Sequence, residues 1–373
     1  MKDNYSFVHI SYQMGVGFVE DLIDFICTNF NDEEYRHHLW ITRSNELYEA
    51  KKDKCDIIAT DLSEVQMINK YGKKGNRIII HGLHSSGFAL MMLNPSLWKR
   101  IIWRTWGHDI NLPTPNQSSV LKTCYRYVSY YIYHFITKHF AAAGIANMVD
   151  ELKVKKVYGD SFPTCPMSYP KPPDESNRYK IIRKELRNTN NNHDVLKVMI
   201  GHSGFQIDNH LKIIEDISRF ADEKVVFYIM IPYGDKGYIE QVVQKATELL
   251  KDKCIFIRER INYDEYMRFI NDIDIAILDM RNSSALGNIN LLLYFHKKLY
   301  LDPDGDIACA FKYIGIPFGN SKSLRNESFD VFKQKVPYKE AVIQQFLPGY
   351  YDSNYWYNQW QHIINYYGGN NGK

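Results

Sequence analysis

Short runs of apolar, often β-branched residues alternate along the chain with stretches whose apolar positions recur every three or four residues. That is the pattern of strands alternating with amphipathic helices. The first pair covers residues 7–11 and 19–29, with Gly15 and Gly17 in the turn between them. Further strands are predicted at 39–42, 55–59, 77–81, 101–103 and 140–143, each apolar at consecutive positions as parallel strands covered on both faces are. The rhythm then breaks. Pro163, Pro166, Pro170, Pro172 and Pro173 crowd together, and the polar run from Asn188 to Asn192 follows; neither composition builds a core. Strands resume at 195–200, 225–231, 254–257, 273–278 and 298–301, alternating with helices at 209–220, 238–251, 264–271 and 288–296. The last stretch, 338–367, has helical spacing and no strand after it.

Repeated strand–helix units with no antiparallel signal predict an α/β protein with parallel sheets. The chain of 373 residues has room for two such domains. The expected organisation is a Rossmann-like domain over 1–165, a linker over 166–194, a second Rossmann-like domain over 195–335, and a C-terminal helical segment over 336–373 that packs back across the domains. The two parallel sheets are expected to face a central cleft.

Composition adds one feature. The net charge of +3 is too balanced for a nucleic-acid binder, yet residues 65–149 hold ten Lys or Arg and a single carboxylate, Asp109. The window reads either as a buried region of chance composition or as a surface that meets anions. Trp98, Trp103, Trp106, Tyr125, Tyr127, Tyr130, Tyr131, Tyr133, Phe135 and Phe140 are mixed there with Lys99, Arg100, Arg104, Lys122, Arg126 and Lys138. Cations beside aromatic rings suit the interface of an anionic membrane. No run of about 18 apolar residues and no leader-like N-terminus is read, so the expectation is a soluble or peripheral protein. The six cysteines form no C-x-x-C pair, which points to neither a zinc site nor a disulfide framework.

Candidate chemistry falls at predicted strand ends. Gly201-His202-Ser203-Gly204 follows the first strand of the second domain and precedes a helix, where backbone amides attract phosphate; an ordinary turn using glycine for positive φ is the alternative. The order from Asn262, Tyr263 and Tyr266 through the strand at 273–278 to Arg281, Gly287 and Asn288 is that of the nucleotide-sugar half of the two-Rossmann glycosyltransferase architecture called GT-B. There Gly287 would admit a diphosphate to the amides that open the next helix. In the first domain, Asp109 follows a strand and is a candidate base or hydroxyl anchor, with a helix cap or ion pair as the alternative. His81 and His84, also at a strand end, are further candidate bases. Asp272-Ile273-Asp274 has D-x-D spacing but reads as the start of a strand, and Asp302-Pro303-Asp304-Gly305-Asp306 reads as a solvated turn. No metal ligand set and no cofactor are expected.

These pieces resemble a known family. His81-Gly82, Trp106-Gly107-His108-Asp109, Phe162-Pro163-Thr164, Gly201-His202-Ser203-Gly204, Tyr233-Gly234, Asp264-Glu265-Tyr266, Arg281 and Gly287-Asn288 occur in the order found in the bacterial TDP-N-acetylfucosamine:lipid II N-acetylfucosaminyltransferases, glycosyltransferase family 56. The chain has His202, His108 and Arg281-Asn282-Ser283-Ser284 where that family as a rule has Asn, Ala and Arg-Gln-Gln-Gly. The resemblance implies a metal-independent GT-B enzyme, peripheral on the cytoplasmic face of the cell membrane. It would move a deoxy-amino sugar from a dTDP or UDP donor to a polyprenyl-diphosphate-linked saccharide in cell-envelope polysaccharide synthesis. On this reading Gly201, Ser203, Gly204, Gly287, Asn288 and Arg281 meet the diphosphate, and Tyr233, Asn262, Tyr263 and Tyr266 the nucleoside. Asp109, His81 and His84 are the candidate catalytic groups, and Trp106, Lys99, Arg100, Arg104 and Arg126 face acceptor or membrane. The alternatives are a catalytically silent scaffold that binds a lipid-linked glycan or a partner enzyme, and a nucleotide-sugar epimerase or hydrolase.

Overall fold

The computed structural model describes residues 5–12, 16–30, 38–83, 94–110, 120–171, 173–189, 194–352 and 354–368. The chain divides into two compact units, residues 1–176 with 353–373, and residues 177–352.

The first unit is built on a seven-stranded sheet in the order β3-β2-β1-β4-β5-β6-β7. Its strands are β1 (Tyr5–Ser11), β2 (His38–Thr42), β3 (Asp56–Ala59), β4 (Gly75–His81), β5 (Ile101–Arg104), β6 (Ala142–Ile145) and β7 (Thr164–Pro166). All neighbours pair in parallel. Consecutive apolar residues are needed because both faces are covered. Val8, Ile10, Ile78 and Ile80 enter one core, while Phe7 and Ile79 enter the other with Val19, Leu22 and Ile23 of the helix Val16–Asn29. The helix Tyr355–Gly368 completes that second layer. Its Trp360, Ile363 and Tyr367 are buried in the same cluster, and the Trp360 indole donates to the Ser168 carbonyl at 3.0 Å.

Three boundaries differ from the sequence reading. The strand expected at 140–143 lies at Ala142–Ile145, because Thr137 to Ala141 complete a helix end and a turn. The proline-rich stretch supplies β7, an edge strand in which Pro166 leaves no central ladder bond unmade. Finally, the expected linker contains a helix, Pro173–Arg187, which a proline can open because the first-turn amide needs no partner.

The second unit carries a six-stranded parallel sheet in the order β10-β9-β8-β11-β12-β13. Its strands are β8 (Leu196–Ile200), β9 (Val225–Met230), β10 (Cys254–Ile257), β11 (Ile275–Leu278), β12 (Lys298–Leu301) and β13 (Gly319–Asn320). Val198, Ile200, Phe227, Ile229, Ile275 and Ile277 pack with the helices His210–Ile217 and Lys236–Leu250. The segment expected to leave this unit at 336 stays with it to 352: Glu340 pairs with Arg187 at 2.5 Å, and Phe346 packs edge-on against Phe311. In each sheet the strand order reverses direction once, between β1 and β4 and between β8 and β11. Ligands of open parallel sheets bind outside the carboxyl ends of the strands at such points.

Candidate functional site

In the second unit the loops after β8 and β11 leave adjacent strands at the carboxyl edge. They are stitched together: the Gly201 amide donates to Ile277 O at 3.0 Å, and Asn209 Nδ2 donates to Asp279 O at 2.9 Å. Gly201 has φ +68, and a Cβ there would lie 2.2 Å from His210 Nε2, so the turn closes only with glycine. Gly204 and Gly234 meet backbone to backbone. A Cβ on Gly234 would lie 2.3 Å from the Gly204 carbonyl carbon, and the Asp235 amide donates to Gly204 O. Ser203 is not free to meet a ligand, since both its amide (3.0 Å) and its hydroxyl (2.5 Å) donate to buried Asp208.

After β11, Asp279 is buried and accepts from Ser321 as well as Asn209. Arg281 follows, its side chain largely exposed but aimed by Asp302, which accepts from Nε at 3.1 Å. Burial alone would raise the Asp302 carboxyl; the Asp304 amide, Lys322 and Arg281 outweigh it and hold it below its ordinary value. The helix Leu286–Tyr294 then opens from Ala285, a left-handed residue with no capping side chain. The first amide to close a helical bond is that of Ile289, so the amides of Leu286, Gly287 and Asn288 remain for a ligand. A Cβ at Gly287 would meet nothing within 4 Å, so the side of this first turn where it would stand is open.

Tyr233 follows β9, and the Arg260 guanidinium lies 4.8 Å above its ring. Burial pushes the Tyr233 and Tyr266 phenols up, and Tyr233 and Tyr263 add to the effect on Tyr266, so these phenols remain donors at neutral pH. Asn262 is used as a helix cap, its Oδ1 accepting from the Glu265 amide at 2.9 Å.

In both acidic motifs carboxylates are paired to cations of the protein itself. Asp272 and Asp274 bind Lys197 across the amino end of β8, and the 302–306 turn forms an ion cluster with Arg281 and Lys322. Among the described residues no group of three His, Cys, Asp or Glu side chains is arranged to hold a metal ion.

The first unit gives several expected residues other work. Asp109 accepts from the Trp106 amide at 2.8 Å, the Trp103 indole at 2.7 Å and the Leu83 amide at 3.2 Å, which ties the loops after β4 and β5 together. Three N–H donors occupy the carboxylate that the sequence offered as a base. His81 is buried, with Nε2 3.0 Å from His9 Nδ1 and Nδ1 2.6 Å from the Tyr169 hydroxyl; His9 Nε2 in turn lies 2.8 Å from His38 Nδ1. Burial and then Arg104 push His81 down to about 3, so it is neutral, and both its nitrogens are engaged. It has no lone pair left for a sugar hydroxyl. His84 lies outside the described residues.

Arg100, half-buried, donates to the carbonyls of Asn76, Gly72 and Gly75, and Arg104 is buried beneath Trp106 and Tyr169, so both guanidinium groups are engaged by the protein itself. Lys99 is exposed; the side chain of Arg126 lies outside the described ones. Trp106 stands at the carboxyl edge with Phe18 and Tyr169, each with its ring centroid 5.4 Å away, and Gly82 (φ +84) makes room for the indole. Sequence reasoning missed Asp208, Asn209, Asp279 and Tyr169. Only Asp208 left a trace, six residues after the histidine it binds.

Two parallel-sheet α/β units with loops converging at the β8/β11 edge define the GT-B class. The fold is shared by Anabaena HepE (TM-score 0.61, 13% identity, covering 98% of this chain and 100% of that one). It is shared also by a glycosyltransferase from Rickettsia africae (0.59, 12%, 99% and 100%) and by the trehalose-6-phosphate synthase OtsA (0.60, 12%, 97% and 98%). No curated protein sequence matches the chain. The family profile described as 4-alpha-L-fucosyltransferase, glycosyl transferase group 56, matches residues 21–363, and the chain belongs to that family of glycosyltransferases.

Proposed function

We propose that this glycosyltransferase takes a deoxy-amino sugar from a dTDP or UDP donor and transfers it to a polyprenyl-diphosphate-linked saccharide in cell-envelope polysaccharide synthesis. The observation that carries the donor half is the uncapped start of the helix Leu286–Tyr294 behind Gly287, on the same edge as the Gly201–Gly204 turn. Amides at a helix start bind phosphate, and Arg281, largely exposed and paired to Asp302 through Nε, opens the loop that leads to them. Tyr233, Tyr263 and Tyr266 offer ring faces and hydroxyls to a nucleoside. The HepE structure, which shares the fold, holds UDP. In the first unit Phe18, Trp106 and Tyr169 form an aromatic platform for an acceptor saccharide, and Asp109 holds the loops that shape it.

On this reading the lipid-linked acceptor lies at the inner face of the membrane, and the helix Val120–Thr137 supports contact with a lipid interface. Val120, Cys124, Val128, Tyr131 and Phe135 are exposed at helical spacing, with exposed Lys138 and His139 just beyond. Among the described residues no helix is long and apolar enough to cross a membrane. The test is a panel of dTDP- and UDP-sugars offered with and without a polyprenyl-diphosphate-linked saccharide, read by mass spectrometry of the lipid and by release of nucleoside diphosphate. The expected result is a lipid heavier by one sugar and release that depends on the acceptor. Equal release with and without acceptor, or no release from any donor, overturns the proposal.

A further inference from the structure

His202 stands at the centre of the turn after β8 and none of the roles above uses it. Its Nδ1 lies 2.6 Å from Asp208 Oδ1, and the Asp208 side chain is fully buried. A carboxylate only accepts, so Nδ1 carries hydrogen and Nε2, on the far side of the ring, points away from Asp208. Nε2 has no hydrogen-bond partner among the described residues, while the side chain keeps 12% of its surface open to solvent. The other carboxylate oxygen takes the Ser203 amide and hydroxyl, so Asp208 is held on both sides and the imidazole has one orientation. Asn209, the next residue, fastens this turn to Asp279 at the head of the loop that leads to Arg281 and Gly287. The aimed ring nitrogen and the uncapped amides therefore belong to loops sewn together at one sheet edge.

We propose that His202, aimed by Asp208, donates an Nε2 hydrogen bond to the diphosphate of the nucleotide sugar and binds it as the imidazolium. The proposal rests on the nucleotide-sugar reading and deepens it. It makes His202 a binding residue for the diphosphate and Asp208 a positioning residue. Ser203, by contrast, buttresses Asp208 rather than the ligand. The titratable groups that face the pair are His210 on the following helix, and Tyr233 and Tyr238 from the β9 side, both of which feel the Asp208 charge. His210 is buried and held low by desolvation, so of the two histidines His202 is the one with side-chain surface open to a ligand.

The experiment is calorimetric titration of the full chain with UDP and with dTDP at pH 8, above the ordinary histidine range, in two buffers of different ionisation enthalpy. The variants are His202→Ala and His202→Gln, with thermal unfolding as the check on folding. The wild-type chain should bind one of the two nucleotides with net proton uptake. His202→Ala should bind it at least tenfold more weakly and lose the uptake. His202→Gln, which keeps a neutral N–H at the same reach, should recover part of the affinity and none of the uptake; it also serves if the alanine variant fails to fold. Wild-type affinity and uptake in either folded variant overturn the proposal. Absence of binding of both nucleotides by the wild-type chain overturns the donor reading itself, a distinct result.

Discussion

Gly201 and Gly287 do different work at one sheet edge. Gly201 is required by the backbone: its φ is +68 and its missing Cβ is the space His210 occupies. Gly287 sits in the first turn of a helix with open space where a Cβ would be, so the fold does not require it. Gly287→Ala should leave thermal stability unchanged or higher by up to about 1 kcal/mol, because alanine is the better helix former. It should also weaken donor binding by about tenfold, since the new methyl takes up open space in the turn whose amides receive phosphate. A variant with wild-type donor affinity in a nucleotide titration removes Gly287 from the site. Asp109 shows the same distinction from the other side. As the one carboxylate in a long basic stretch it looked chemical in the sequence, and the structure uses its charge to hold N–H donors of strand β5 and of the loops after β4 and β5.

At the scale of elements, the helix Val120–Thr137 turns two faces to different surroundings. Tyr133 and Ile136 are buried against Trp103 and its neighbours, while Val128, Tyr131 and Phe135 are exposed. The spacing of the exposed set puts it on one stripe, continued by Lys138 and His139. Such a stripe buries apolar area in a lipid interface while its cations meet anionic headgroups. Tyr131→Ser with Phe135→Ser should lower co-sedimentation with phosphatidylglycerol vesicles about tenfold at unchanged thermal stability, as loss of two partly buried rings implies. Binding as tight as that of the wild-type chain would remove this helix from the membrane-facing surface. The aromatic residues were legible in the sequence as a cluster; that they form a helix and which rings face inward was not, because aromatic residues occupy both faces and mask the helical spacing.

At the scale of the whole molecule, buried histidines set the response to acid. His9, His81 and His210 are all held below their ordinary value, first by desolvation. Each is neutral when folded and takes up a proton readily once unfolded, so the stability it permits is full above about pH 6.5 and is lost as pH falls. For His81, pushed down to about 3, the loss between pH 7 and pH 5 is about 2 kcal/mol. Asp150, raised by burial to about 6, works in the opposite direction and recovers about 1 kcal/mol over the same interval. The histidines outnumber it. The unfolding temperature should therefore fall from pH 7 to pH 5, and His81→Asn should flatten that dependence; a temperature constant across the interval contradicts the neutral-histidine account.

The alternation of short apolar runs with helical spacing was enough to determine two parallel-sheet α/β units, because a strand covered on both faces must be apolar at consecutive positions. It was enough also to place Gly201 at a strand end and Gly287 at a helix start, since turns and helix starts carry their own residue chemistry. What the sequence left open was partnership. Whether Asp109 is free or filled, whether Arg100 meets an anion or backbone carbonyls, and whether His81 has a lone pair to offer all depend on contacts between strands and loops far apart in the chain. His202 and Asp208 owe their hydrogen bond to the close of one turn, and the tie from Asn209 to Asp279 bridges the crossovers that lead from β8 through β9 and β10 to β11. Charge and residue type are local properties; the hydrogen-bond partner that decides what a side chain does is supplied by the tertiary fold.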